Sequence, residues 1–347
     1  MSIDSHALPL LGPVEPVEHV VPRTTMAERV QRVLHRYPAL SPAVVLLLAG
    51  VVFSFLNSRF LLPGNLSLIF QQVAVVGALG VAQTMIVLTA GIDLSVGAAM
   101  LITQTIMAKV AVDRGWPGGV CLIIGLAAGM LTGLVNGALV TRVKLPPFIV
   151  TLGTLSIFTA MTLKVSSGQT IDGAKLPSLL LWTGETLKLG SVTITMGVLL
   201  MFALYLVFSF VLKKTAWGRH VYAVGDDAEA SQLAGIRTQR VVLSVYMVAG
   251  AVIALTAWIL IGRVGSASPN AGADANLDSI TAVVIGGTSL FGGRGVLIGT
   301  LLGALIVGVF RNGLALAGVD VLYQTFAVGV LIIVAVSVDQ WIRRVRK

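Results

Sequence analysis

VTITMGVLLMFALYLVFSFVL (Val192–Leu212), KKTAWGRHVYAVGDDAEASQLAGIRTQR (Lys213–Arg240) and VVLSVYMVAGAVIALTAWILI (Val241–Ile261) follow one another without a gap, and their contrast decides the fold. The first and third runs are almost purely apolar. Each is close to the roughly 20 residues a helix needs to cross the hydrocarbon of a bilayer. The middle run carries Lys213, Lys214, Arg219, Asp226, Asp227, Glu229, Arg237 and Arg240 and belongs in water. Within it, DDAEASQLAGI predicts a short helix. Asp226 or Asp227 can cap it, Glu229 favours its first turn, and Gly235 ends it. Leu233 and Ile236 give that helix one apolar edge, and its small residues permit close docking of another protein.

The rest of the chain follows the same alternation. Of 347 residues, 56% are hydrophobic and 11% charged, whereas a soluble chain carries roughly 25% charged residues. So little polar surface excludes a water-soluble fold. The expectation is an all-α polytopic membrane protein, with apolar stretches at Ser41–Leu56, Leu66–Leu88, Leu94–Val112, Gly118–Val140, Phe148–Val165, Val192–Leu212, Val241–Ile261, Ser279–Leu290, Val296–Phe310 and Val321–Val338. That gives about ten spans. The eighth and ninth are short and glycine-rich, and could form a re-entrant hairpin. With both termini cytosolic, lysines and arginines of the inner loops outnumber those of the outer loops about two to one, as the positive-inside rule requires. Residues 1–38 read as a cytosolic tail with one amphipathic helix at Thr25–His35. Residues 39–340 form the membrane domain, with an inner loop at 213–240 and a polar outer loop at 166–190. Residues 341–347 form a basic cytosolic tail.

The net charge of +9 lies beside apolar spans, so it marks topology and not a nucleic-acid surface. Cys121 is the single cysteine, which excludes an internal disulfide. GGTSLFGGRG lacks the lysine of a phosphate-binding loop, the four histidines lack metal spacing, and no nucleophile–histidine arrangement is visible. The chain is expected to catalyse nothing and to bind no metal or cofactor. Asp93, in TAGIDLSVG, follows Gly91, which breaks the second span, and is expected to cap the third. Gln72, Gln83, Asn136, Thr151 and Thr154 are the neutral polar residues of a possible translocation path, although ordinary interhelical hydrogen bonds are the favoured account of each taken singly. The spans hold almost no fixed charge, which disfavours a charged solute.

Four stretches carry a family resemblance: VVGALGVAQTMIVLTAGIDLSVGA (Val75–Ala98), RVKLPPFIVTLGT (Arg142–Thr154), TAWGRHVYAVGDDAEASQLAGI (Thr215–Ile236) and ITAVVIGGTSLFGGRGVLIGTLLGALIVGV (Ile280–Val309). Together they resemble the permease subunits of bacterial ABC importers for ribose, xylose, arabinose and fructose. TAWGRHVYAVGDD and DQWIRR look most like the fructose type. The resemblance implies a homodimeric or paired permease in the inner membrane, driven by a cytosolic subunit that binds ATP and magnesium. A periplasmic sugar-binding protein would feed it. It also implies that the helix at 226–235 is the coupling helix, with Asp226, Asp227, Glu229, Ala230, Leu233 and Gly235 at the ATPase. Glu229, Ala230 and Gly235 match the loose E-A-A-x-x-x-G motif. Ser231 departs from its third position, and the later Leu-Pro is missing. Gly91, Asp93, Gly292, Gly293 and Arg294 are the structural residues of a gate. Alternatives are a permease for branched-chain amino acids or nucleosides, or a proton-coupled transporter built on Asp93.

Overall fold

The computed structural model describes residues 39–272 and 274–344. The expected N-terminal tail and its helix at Thr25–His35 lie outside the described residues, as do residues 345–347. Thirteen α-helices account for most of the described chain: α1 (Leu40–Leu56), α2 (Pro63–Leu88), α3 (Val96–Arg114), α4 (Gly118–Thr141), α5 (Pro147–Ser166), α6 (Ser178–Leu181), α7 (Met196–Lys214), α8 (Ala216–Asp226), α9 (Ala228–Leu233), α10 (Thr238–Val264), α11 (Ala275–Ile285), α12 (Leu297–Leu316) and α13 (Val321–Arg344). The protein is an all-α polytopic membrane protein.

Each of the ten apolar stretches coincides with a helix, but the helices are unequal. Seven of them are long and apolar enough to cross a membrane: α2, α3, α4, α5, α7, α10 and α12. α13 has 24 residues, while α1 and α11 are shorter apolar helices. α11 has 11 residues, so at 1.5 Å per residue it reaches roughly half-way through a bilayer core. The chain continues from it through the glycine-rich segment 286–296 and returns as α12, a full-length helix. The eighth and ninth stretches are therefore a half-length helix and a complete one. Val192–Thr195, expected within a span, is a strand, and α13 runs past the expected stretch Val321–Val338 to Arg344.

Burial sorts the bundle. α3 and α10 are 72% buried along their apolar windows and α5 only 28%, so the first two form the centre and α5 lies at the periphery. Phe148, Ile149, Leu152, Ile157 and Met161 of α5 are exposed. Residues that are apolar all round suit both environments, which is why hydropathy alone does not distinguish them. Close approach in the bundle rests on small residues. A side chain on Gly129 or Gly133 would strike the backbone of α10 at Gly250 or Tyr246, and one on Gly303 would strike the Ala282 carbonyl of α11.

One end of the bundle is capped by the segment expected as a loop. Four short strands form there: β1 (Ile171–Asp172), β2 (Thr186–Leu189), β3 (Val192–Thr195) and β4 (Ser266–Ala267). β1 pairs antiparallel with β4, while β2 and β3 make a hairpin. Trp182 stacks on Trp258 of α10 with ring centroids 5.5 Å apart, and the Trp258 indole donates to the Leu179 carbonyl at 2.9 Å. The opposite end carries α8 and α9.

Candidate functional site

At the α8 end, three chain segments meet at one point. α2 stops at Leu88 with a Schellman pattern: Ala90 N–H donates to the Val87 carbonyl at 2.9 Å and Gly91 N–H to the Ile86 carbonyl at 3.1 Å. The left-handed residue of that cap is Ala90, with φ 59°. Gly91 sits one residue later, where a side chain would press on Ile86 and the Tyr246 hydroxyl. The Leu88 carbonyl, freed by the end of the helix, accepts from Gly293 N–H at 3.0 Å. Gly292 and Gly293 both have positive φ, 85° and 67°, which the turn between α11 and α12 requires of them.

α8 closes the junction. Its first turn is capped by Thr215, whose hydroxyl accepts from Gly218 N–H at 3.1 Å. Gly218, Val221, Val224 and Gly225 are its buried side. Gly225 lies against both the Leu88 carbonyl and Gly293 N–H so closely that any side chain there would collide with them. Two further bonds fix the helix. The Trp217 indole donates to Ser244 Oγ of α10 at 2.8 Å, and the Tyr222 hydroxyl donates to the Gly295 carbonyl at 2.8 Å. Burial pushes the Tyr222 phenol up, so it stays a donor. Arg294 approaches Asp226 at 4.0 Å, both largely exposed, a pair of small energetic worth.

α9 then projects from the junction. Asp227, and not Asp226, caps it, accepting from Ala230 N–H at 2.9 Å. Glu229 occupies its first turn. Gly235 follows with φ 85°. Asp226 to Ala230 and Gln232 to Gly235 are exposed, Ser231 is buried, and Leu233 is 91% exposed. Leu233 thus points away from the protein, while Ile236 packs against the core. The two do not form one shared edge.

Asp93 is nearly fully buried beside this junction, in the link between α2 and α3. It does not cap α3, whose flanking residue is Ser95. Its Oδ1 accepts from Ser95 N–H and Ser95 Oγ, both at 2.7 Å, closing the turn that precedes the helix. Asn136 of α4 donates to Ser95 Oγ at 2.8 Å and to Asp93 Oδ2 at 3.3 Å, and Thr151 of α5 donates to the Ile92 carbonyl at 3.1 Å. Thr154 bonds back to Thr151 of its own helix. Gln83 is fully buried in α2, its amide without a partner among the described residues. Of the five residues expected along a path, Asn136 and Thr151 brace the Asp93 turn, and Gln72 lines a cavity.

That cavity, about 660 Å³, lies towards the hairpin end, between α2, α10, α11 and α12. Its walls are charged. Arg263, Asp274, Asp278 and Arg311 all line it. Arg311 donates to Asp278 Oδ1 at 2.7 Å and stands 3.8 Å from Asp274. Asp278 is almost fully buried, and a charge so placed persists only when paired. Beneath the pair, Asn65 and Asn312 exchange amide hydrogen bonds of 2.9 Å.

Residues 65–336 match the family model described as the permease component of the branched-chain amino acid transport system. The chain belongs to this permease family. Similar proteins include the fructose import permease protein of Rhizobium meliloti, 49% identical over 92% of this chain and 90% of that one. The ribose import permease protein of Bacillus subtilis is 38% identical over 87% and 92%, and the xylose transport system permease protein of Escherichia coli is 31% identical over 83% and 88%.

Within this permease, sequence reasoning missed the Asp274–Asp278–Arg311 cluster. The signal was present. Asp274 and Asp278 stand one helical turn apart immediately before the apolar run, and Arg311 follows Phe310 within an otherwise apolar helix. Because Arg311 directly follows the ninth apolar stretch, the sequence alone presents it as a charge of the adjoining loop.

Proposed function

We propose that the protein is the membrane subunit of an ATP-driven importer for a neutral monosaccharide, with both termini and α8–α9 in the cytosol of a bacterial inner membrane. The observation that carries this reading is the junction at Gly225. One rigid surface helix there touches the end of α2 and the turn between α11 and α12 at once. Force applied to α9 therefore reaches two broken helices through backbone contacts, without passing through flexible side chains. α9 itself is capped, exposed and tipped by Leu233, as suits insertion into a groove of an ATPase.

The chain would pair with a second copy and take solute from a periplasmic sugar-binding protein at the hairpin end. ATP and magnesium would be held by the ATPase, and this chain would supply only the moving passage. Sugar, and not amino acid, is favoured by the relatives named above, whose printed substrates are fructose, ribose and xylose. Reconstitution in vesicles tests the reading. Permease, ATP-binding subunit and binding protein together are expected to accumulate D-fructose or D-ribose only with ATP on the ATPase side. Uphill accumulation by the permease alone would refute it.

A further inference from the structure

The geometry points to the cavity between α2, α10, α11 and α12 as a monosaccharide-binding chamber, in which Asp274, Arg263, Gln72 and Asn270 hold the solute by its hydroxyl groups. This rests on the sugar-import reading and assigns the site within it.

Three observations lead there. The first is charge balance. Two guanidinium groups and two carboxylates line the cavity, so its formal charge sums to zero, which favours neither a cation nor an anion. The second is division of labour. Arg311 and Asp278 neutralise one another through the 2.7 Å bond, whereas Asp274 is only distantly paired, at 3.8 Å, and its side chain is 59% exposed. The Gln72, Arg263 and Asn270 side chains line the cavity with no hydrogen-bond partner among the described residues. The third is the kind of side chain left free. Carboxylate, guanidinium and amide groups are planar and carry two adjacent donors or acceptors, the spacing that matches two vicinal hydroxyls. A neutral polyol meets all four without a net charge to desolvate.

The accessible apolar lining at Val76, Val264, Ala271 and Ala315 completes the arrangement. Pyranose and furanose rings have an apolar C–H face as well as hydroxyl edges. Asp274 and Arg263 would also serve a zwitterionic amino acid as countercharges, so the choice of sugar rests on the importer reading, and L-leucine is the control that separates the two.

The test uses thiol protection in the permease–ATPase complex. Cys121 is buried, so Val264→Cys, at the rim of the cavity, supplies the reactive thiol. Millimolar D-fructose or D-ribose is expected to slow its modification by a water-soluble thiosulfonate at least three-fold, and L-leucine to leave it unchanged. Adding Asp274→Asn should abolish protection and raise the KM for uptake about ten-fold, while stimulation of the ATPase by loaded binding protein persists. Lack of protection by any sugar in a complex whose wild-type form transports sugar would overturn the chamber alone. Protection by leucine would overturn the sugar assignment. Failure of the wild type to transport either sugar, or D-xylose, would remove the importer reading and the chamber with it.

Discussion

The carbonyl of Leu88, last residue of α2, accepts a 3.0 Å hydrogen bond from the N–H of Gly293 in the turn before α12, and Gly225 of α8 covers that bond. Two helices separated by some two hundred residues of chain are thus tied at their broken ends, with a surface helix pressed on the knot. Gly225→Ala would place a methyl group against backbone atoms that cannot rotate aside. Overpacking of this kind costs about 1–3 kcal/mol. The expected outcome is a permease that inserts but melts several degrees lower and takes up no sugar. Normal uptake in Gly225→Ala would show that the contact transmits nothing.

Ala90 bears a backbone conformation, φ 59°, that costs an L-residue about 1–2 kcal/mol. Ala90→Gly relieves it at the cost of a more flexible unfolded chain. The net expectation is a gain of about 1 kcal/mol, read as a rise in the unfolding midpoint of the solubilised protein. Because strain gathers where chains switch conformation, the same substitution should lower the coupling of ATP hydrolysis to uptake. A fall in the midpoint would mean that the alanine methyl contributes more by packing than the backbone strain costs.

Much of this was legible in the sequence, and the gaps have physical causes. The alternation of apolar runs with charged linkers located every membrane helix, since hydropathy reports the solvent directly. Asp227, Glu229 and Gly235 announced α9 because capping is a local rule. The meeting of Gly225 with Leu88 and Gly293 was not legible: it depends on three segments far apart in the chain, and a glycine does not reveal what it makes room for. The partners of the polar residues were illegible for a similar reason. Asn136 and Thr151 look solute-facing in a list but turn inward to hold the Asp93 turn. Arg311 looks like a loop marker but faces the buried carboxylate of Asp278.

That carboxylate yields a stability prediction. Asp278→Ala leaves the Arg311 guanidinium, its Nε already without a partner among the described residues, with only the distant Asp274 to answer its charge. Removing one partner of a buried pair typically costs about 3–5 kcal/mol. The double substitution Asp278→Leu with Arg311→Met removes both charges and should recover most of the loss. Thermal unfolding of the purified variants checks this. Equal melting of the single and double variants would show that the pair is not energetically coupled.

Asp93 separates ATP drive from proton drive. Asp93→Asn keeps an acceptor oxygen for Ser95 N–H, so the turn survives, while a titratable group is lost. Uptake by the variant in the complete transporter is expected to stay within about three-fold of wild type, with the conversion of fold to free energy small, under 1 kcal/mol. It should persist when an ionophore collapses the proton gradient and stop when ATP is exhausted. Abolished uptake in a well-folded Asp93→Asn protein, with wild-type uptake sensitive to the ionophore, would favour a proton-coupled mechanism.

α9 is the last point of test, because its role depends on a partner. Glu229 is exposed in the first turn, next to the Asp227 cap and on the same short helix as the protruding Leu233. Glu229→Lys reverses a charge without touching a buried contact, so insertion and thermal stability should match the wild type. Association with the ATP-binding subunit should weaken at least ten-fold, and uptake should be lost. Leu233→Asp should act in the same direction by removing an apolar contact in place of a charge. If co-purification of the ATPase and uptake are normal in both variants, α9 is only a solvated connection, and coupling must run through α8 and the junction beneath it.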